Sequence, residues 1–298
     1  MRILDLRILA VALVASACGS STSPAHVDLN AARAALKSAD SALSITGFGF
    51  VSGFADSAIY EQTGLPIIVG RANIQATVTR LYSTPGYSLT WKSFFVDVSS
   101  AGDVGYTYGQ AGQVDPAGDT ILGPGAQSLL YIAFWRRING VWKVEAWMMS
   151  PGSTTPTAPT GPYVTPTTAA SPSYASSSSV LATDQAFSDL SVYVGQDSAF
   201  TMYADTLGIQ TGADFVYGKT AIRAYYNGTP ITQVLSWTPT LADVASSNDL
   251  AYTAGPYVFI GTSASYGQYL SIWKREPTGN WRYIQDGGTF TGSQPVSP

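Results

Sequence analysis

Leu29, Leu36 and Leu43 recur every seventh residue in DLNAARAALKSADSALSI, with alanines between them. The stripe predicts an amphipathic helix, and Asp28 stands where a side chain can cap its first turn. A hairpin is expected next, AIYEQ and LPIIV around Thr63-Gly64, then a helix over RANIQATVTRLY launched from Gly70. Four strands complete the unit: LTWKSFFVDV, DVGYTYGQAG, SLLYIAFWRRI and VWKVEAWMM. Strand alternation puts Leu129, Tyr131, Ala133 and Trp135 on one face of the third, and Leu130, Ile132 and Phe134 on the other. The same rule groups Trp142, Val144, Ala146 and Met148 on the fourth, with Trp147 and Met149 opposite. A meander that is apolar on both faces must be covered on both. The unit's own helices can cover only one.

The cover for the other face is written farther along the chain. SADSAL at 38–43 returns as ATDQAF at 182–187, and FADSAIYEQTGLPIIVGRANI returns as YADTLGIQTGADFVYGKTAI. Trp91, Asp97 and Asp103 keep their spacing in Trp237, Asp243 and Asp249, and FWRRINGVWKV matches IWKREPTGNWRYI. A period of about 145 residues is far longer than a solenoid repeat of 20–50, so it reads as domain duplication. In the second copy QDSAFTMYA adds a short helix, whereas Gly47-Phe-Gly-Phe disfavours one in the first. Between the copies PGSTTPTAPTGPYVTPTTAASPSYASSSS is too rich in Pro, Ser and Thr to build a core and reads as a semi-rigid linker. The expected organisation is a leader at 1–17, a tether at 18–27, domains at 28–150 and 178–290, a linker at 151–177 and a tail at 291–298.

The leader, MRILDLRILAVALVASA, has a short charged start, an apolar run and small residues before Cys18. That is a secretory pattern, with an apolar run too short to span a bilayer. ASAC followed by Gly19-Ser20 resembles a bacterial lipobox, and that resemblance implies that Cys18 is the lipidated first residue of a mature envelope protein held to a membrane through its lipid alone; an ordinary signal peptide cut near the same place is the alternative. Cys18 is the single cysteine, so no intramolecular disulfide can form. Only 11% of residues are charged, and losing Arg2, Arg7 and Asp5 with the leader leaves 13 basic side chains against 18 acidic. No basic stripe exists to neutralise phosphates, and nucleic acid is not an expected partner.

The order helix, hairpin, Gly-Arg-Ala helix, then Leu-Thr-Trp, Gly-Asp-Val-Gly-Tyr-Thr-Tyr-Gly, Phe-Trp-Arg-Arg and Gly-x-Trp-Lys-Val resembles the nuclear-transport-factor-2-like superfamily. Within it, the pattern is most similar to a bacterial family of SnoaL-like domains without settled function, over nearly all of both copies. Asn248 and Ala251 replace two of the motif's glycines in the second copy. The resemblance implies an α+β fold: two cone-shaped domains, each with helices on a curved antiparallel sheet and a pocket inside, paired here as an intramolecular pseudo-dimer. It implies no single activity, because this fold hosts isomerases, cyclases, dehydratases and non-catalytic binding domains.

Residue chemistry narrows the choice. His26, the single histidine, falls in the tether, so no Ser-His-Asp or Cys-His machine and no His-based metal site can be assembled, and no cofactor motif appears. Carboxylate and tyrosine chemistry remains. The candidate acids are Asp56, Asp205, Glu61, Glu145 and Asp286. The resemblance implies an acid on the last strand after Gly-x-Trp, where this chain has Asp286 in one copy and Trp147 in the other. Asp40 and Asp184 recur in both copies, as structural groups would. Tyr60, Trp91, Tyr106, Tyr108, Trp135, Trp237, Tyr252 and Trp273 either line a pocket for a small uncharged or aromatic ligand or fill the core. Two functions follow: an envelope-anchored module that binds a small molecule or a protein, or an isomerase- or cyclase-type enzyme with a pocket carboxylate as general base.

Overall fold

The computed structural model describes residues 27–44, 47–118, 128–152, 158–159, 176–212 and 214–292. The leader, Cys18, nearly all of the tether, most of the linker and most of the tail lie outside the described residues.

The first half begins with α1 (Leu29–Ser44), whose opening amides at Asn30 and Ala31 donate to the Asp28 carboxylate. A 3-10 turn at Gly47–Gly53 leads into β1 (Phe54–Gln62), β2 (Ile68–Val69) and α2 (Arg71–Leu81). Four long strands follow: β3 (Ser88–Val98), β4 (Val104–Val114), β5 (Ser128–Ile138) and β6 (Val141–Gly152). The second half repeats the plan with α3 (Ser177–Val194), α4 (Gln196–Tyr203), β7 (Ala204–Thr211), β8 (Phe215–Tyr217) and α5 (Lys219–Tyr226). Its strands are β9 (Val234–Trp237), β10 (Leu241–Val244), β11 (Leu250–Ile260), β12 (Ala264–Arg275) and β13 (Trp281–Phe290).

Each half has the helix-on-sheet α+β architecture that the resemblance implies. The sheets run β2-β1-β6-β5-β4-β3 and β8-β7-β13-β12-β11-β10, with β9 also paired to β11. One pair in each sheet is parallel, β1 with β6 and β7 with β13, because the chain crosses the sheet before returning to its first strand. Gly102 and Asn248, at φ 65° and 59°, occupy equivalent turns before β4 and β11, in the left-handed region these two residue types tolerate.

Strand parity on β5 is as expected: Leu129, Tyr131, Ala133 and Trp135 face the helices, while Leu130, Ile132 and Phe134 face the other sheet. On β6 the expectation needs correction. Phe134 pairs with Ala146 and Trp135 with Val144, so Glu145 is an extra residue in a bulge. The bulge reverses the phase, and Trp142 and Val144 join Trp147 and Met149 on the helix side, leaving Ala146 and Met148 between the sheets. The second half carries the same bulge at Ile284.

The two sheets share one apolar layer. It joins Ile59, Tyr106, Tyr108, Leu130, Ile132 and Phe134 to Ile209, Phe215, Leu250, Tyr252, Leu270 and Ile272. Phe134 lies 5.0 Å from Tyr252 and Tyr108 lies 5.3 Å from Phe215, ring centre to ring centre.

Candidate functional site: a cavity in the second half

Both halves hang their first helix on one buried carboxylate. Asp40 accepts the indole N–H of Trp91 at 3.0 Å and the hydroxyl of Tyr131 at 3.0 Å. Asp184 accepts Trp237 at 2.7 Å and Tyr269 at 2.6 Å. Trp135 and Trp273 donate to Thr107 and Thr253, and Ser44 and Ser188 bond the backbone of Trp91 and Trp237. Burial raises both carboxyls, Asp184 to about 6, while the donors around them hold them down. The repeated Trp and Asp spacings therefore record a helix-to-sheet tie.

Above that tie the halves diverge. In the first, Tyr60 on β1 is paired in register with Trp147 on β6, which sits opposite Ala133. Trp147 stacks on Tyr131 at 4.8 Å and meets Trp91 at 4.7 Å, with Phe50 and Phe54 packed beside it. Tyr60, Phe50 and Trp147 are fully buried, and the cone is filled. In the second, the same three register positions hold Gln210, Asp286 and Ser271. Three polar side chains replace two rings and a methyl group, and the smaller residues leave a cavity of about 540 Å³.

Phe200 of α4, Tyr225 and Tyr226 of α5, Leu235 and Trp237 of β9, Tyr257 and Tyr269 form its apolar wall. The run from Asp286 to Phe290 forms its floor, and Ser150, Pro151 and Gly152 at the end of β6 close one side from the first half. None of the lining residues is Lys, Arg or His. Asp286 accepts the Ser271 hydroxyl, and the polar Gln210 side chain beside it also favours the charged form. Burial outweighs both and pushes its carboxyl up to about 7.

Among the residues singled out from sequence, the cavity brings together Asp286 and Trp237. Tyr60, Trp91 and Trp135 lie in the filled first cone, and Trp273 is fully buried behind the second. Tyr106, Tyr108 and Tyr252 are placed between the sheets, because their strand parity turns them away from the helices. Glu145 projects from its bulge into an ion pair with Arg136 at 3.0 Å, so its carboxylate is engaged. Asp56 and Asp205 pair with Arg71 and Lys274. Glu61, on the strand face shared with Ile59, is fully buried, and neither of its oxygens has a hydrogen-bond partner among the described residues. Sequence reading misses Gln210; the sign that points to it is its alignment with Tyr60 beside a Trp-to-Asp change.

Solved structures match parts of the chain. A cystatin-like domain of unknown function from Nostoc punctiforme is 18% identical, with a TM-score of 0.32, over 42% of this chain and 75% of its own. A nuclear-transport-factor-2-like protein of unknown function from Shewanella oneidensis is 13% identical, TM-score 0.33, over 38% of this chain and 97% of its own. A ketosteroid isomerase-like protein from Erwinia carotovora is 16% identical, TM-score 0.32, over 40% and 97%. No family model and no curated protein matches the chain.

Among the described residues, no helix is long and apolar enough to cross a membrane, and no group of three or more His, Cys, Asp or Glu could hold a metal ion.

Proposed function

We propose that the protein is an envelope-anchored binding module that takes one small, uncharged, largely apolar molecule in its second half, while the filled first half serves as support. The observation that carries this reading is the contrast at equivalent register positions: Tyr60, Trp147 and Ala133 fill one cone, and Gln210, Asp286 and Ser271 leave the other open. The volume falls within the 300–1,000 Å³ typical of ligand pockets, and an apolar wall with few convergent polar groups is the usual lining. A wall without cations gives a ligand anion nothing to pair with.

The test is calorimetric titration with a neutral bicyclic aromatic probe. Binding should saturate at one probe per chain. The pair Gln210→Tyr and Asp286→Trp, which copies the first half, should abolish it while thermal unfolding remains cooperative. Two probes per chain, or undiminished binding by the filled variant, would defeat the reading. For the anchor, incorporation of labelled fatty acid should be lost on Cys18→Ala.

One observation favours the enzymatic alternative. A buried carboxyl near neutrality in an apolar cavity suits a general base. That reading requires turnover that rises with pH through about 7 and disappears in Asp286→Asn.

A further inference from the structure

On the cavity reading just proposed, the polar groups on the cavity wall define the head group of its occupant. Gln210 and Asp286 are register partners on parallel strands, both on the cavity wall. Gln210 is only 5% exposed, and its Oε1 has no partner, although a buried amide oxygen ordinarily has one. Asp286 meanwhile accepts from Ser271, so its acceptor capacity is partly taken. What the carboxyl still offers, while it keeps its proton, is a donor. An acceptor and a donor thus stand side by side on the cavity wall.

We propose that this Gln210–Asp286 pair recognises a neutral group that donates and accepts through adjacent atoms, a lactam or a primary carboxamide, on an aromatic or otherwise apolar body. The ligand N–H bonds Gln210 Oε1 and the ligand carbonyl accepts from Asp286. A site built to bond such a group discriminates strongly against an analogue lacking it, because its own buried polar atoms are then left unpaired. A carboxylate head is disfavoured, since it lacks the donor and no cation lies on the wall. Burial keeps Asp286 protonated in the lower part of the neutral range, so its bond to the ligand carbonyl belongs to pH below about 7.

The experiment titrates the chain at pH 6 with three probes of one shape: 2-quinolone, N-methyl-2-quinolone and naphthalene. The expected result is that 2-quinolone binds at least about tenfold tighter than its N-methyl derivative. That ratio should collapse to near one in Gln210→Met, and the affinity for naphthalene should change less than about threefold. Repeating the titration of the unaltered chain at pH 8.5 should weaken both quinolones relative to naphthalene as Asp286 ionises. Equal binding of the two quinolones overturns the head-group assignment while leaving the cavity reading in place. Failure of all three probes to bind overturns both. Because the probe series is run first on the unaltered chain, the outcome does not depend on the variant folding.

Discussion

Asp103 accepts the backbone N–H of Ser246 at 2.9 Å, across the junction between the halves. The relation is reciprocal: Asp249 accepts the N–H of Ser100, also at 2.9 Å. Ser99 and Ser247 orient the two carboxylates from their own turns. Residue i of one half touches residue j of the other, and j touches i, which is the signature of a two-fold interface. Here it is built inside one chain, and it explains why the turn GD appears again as ND.

Removing either half of this clasp should loosen the sheet-to-sheet contact modestly. Asp103→Ala and Asp249→Ala should each cost about 1 kcal/mol in urea unfolding, since a charged acceptor serves a partly solvated amide. Burial raises the Asp103 carboxyl, but Ser246, Ser99 and Arg136 outweigh it and hold it below the usual range. Its contribution is therefore present above about pH 4 and lost as pH falls below that, so the Asp103→Ala penalty should shrink in acid.

The buried ties should matter more. Asp184→Ala strands the Trp237 indole and the Tyr269 hydroxyl, and Asp40→Ala does the same to Trp91 and Tyr131. Each should cost about 3–5 kcal/mol by denaturant titration. Because Trp237 and Tyr269 also line the cavity, only the Asp184 change should weaken probe binding.

Asp286 should behave in the opposite sense. Its folded pKa of about 7 lies above the unfolded value near 3.9, so the folded state holds the extra proton. Stability should then fall as pH rises from about 4 to about 7. Asp286→Asn removes that penalty and should be more stable than the parent by roughly 2–4 kcal/mol at pH 8, with little difference at pH 4. Urea unfolding at the two pH values checks it.

Arg136 bridges the halves, with Nη2 2.6 Å from Asp243 and Nε 3.0 Å from Glu145. Arg136→Met leaves two neighbouring carboxylates without their cation. Asp243 is partly exposed, which moderates the loss to about 2–3 kcal/mol at pH 8. Burial, reinforced by the Asp243 charge, raises the Glu145 carboxyl against the pull of Arg136. The penalty should therefore ease toward acid, where Glu145 takes up a proton.

The periodicity of the chain makes the architecture legible. Leu36 and Leu43 face the core, and the double-faced apolar pattern of β5 announces a second covering sheet. The β6 faces are not legible, because a bulge inserts Glu145 with no change in composition to announce it. The aromatic pocket is only partly legible for a related reason. Tyr106 and Tyr108 sit on the face opposite the helices, and aromatic residues suit a sheet interface as well as a ligand wall. The Trp147 and Asp286 contrast is visible when the two halves are aligned. Its consequence, one filled cone and one open, needs the register of Tyr60 and Gln210 on the neighbouring strand.

That asymmetry is the claim on which the function turns, and xenon-pressurised crystals test it most directly. Xenon should appear in the second half, within the cavity bounded by Trp237, Tyr257 and Asp286, and nowhere among Phe50, Tyr60 and Trp147. Xenon in the first cone, or in neither, would contradict the account.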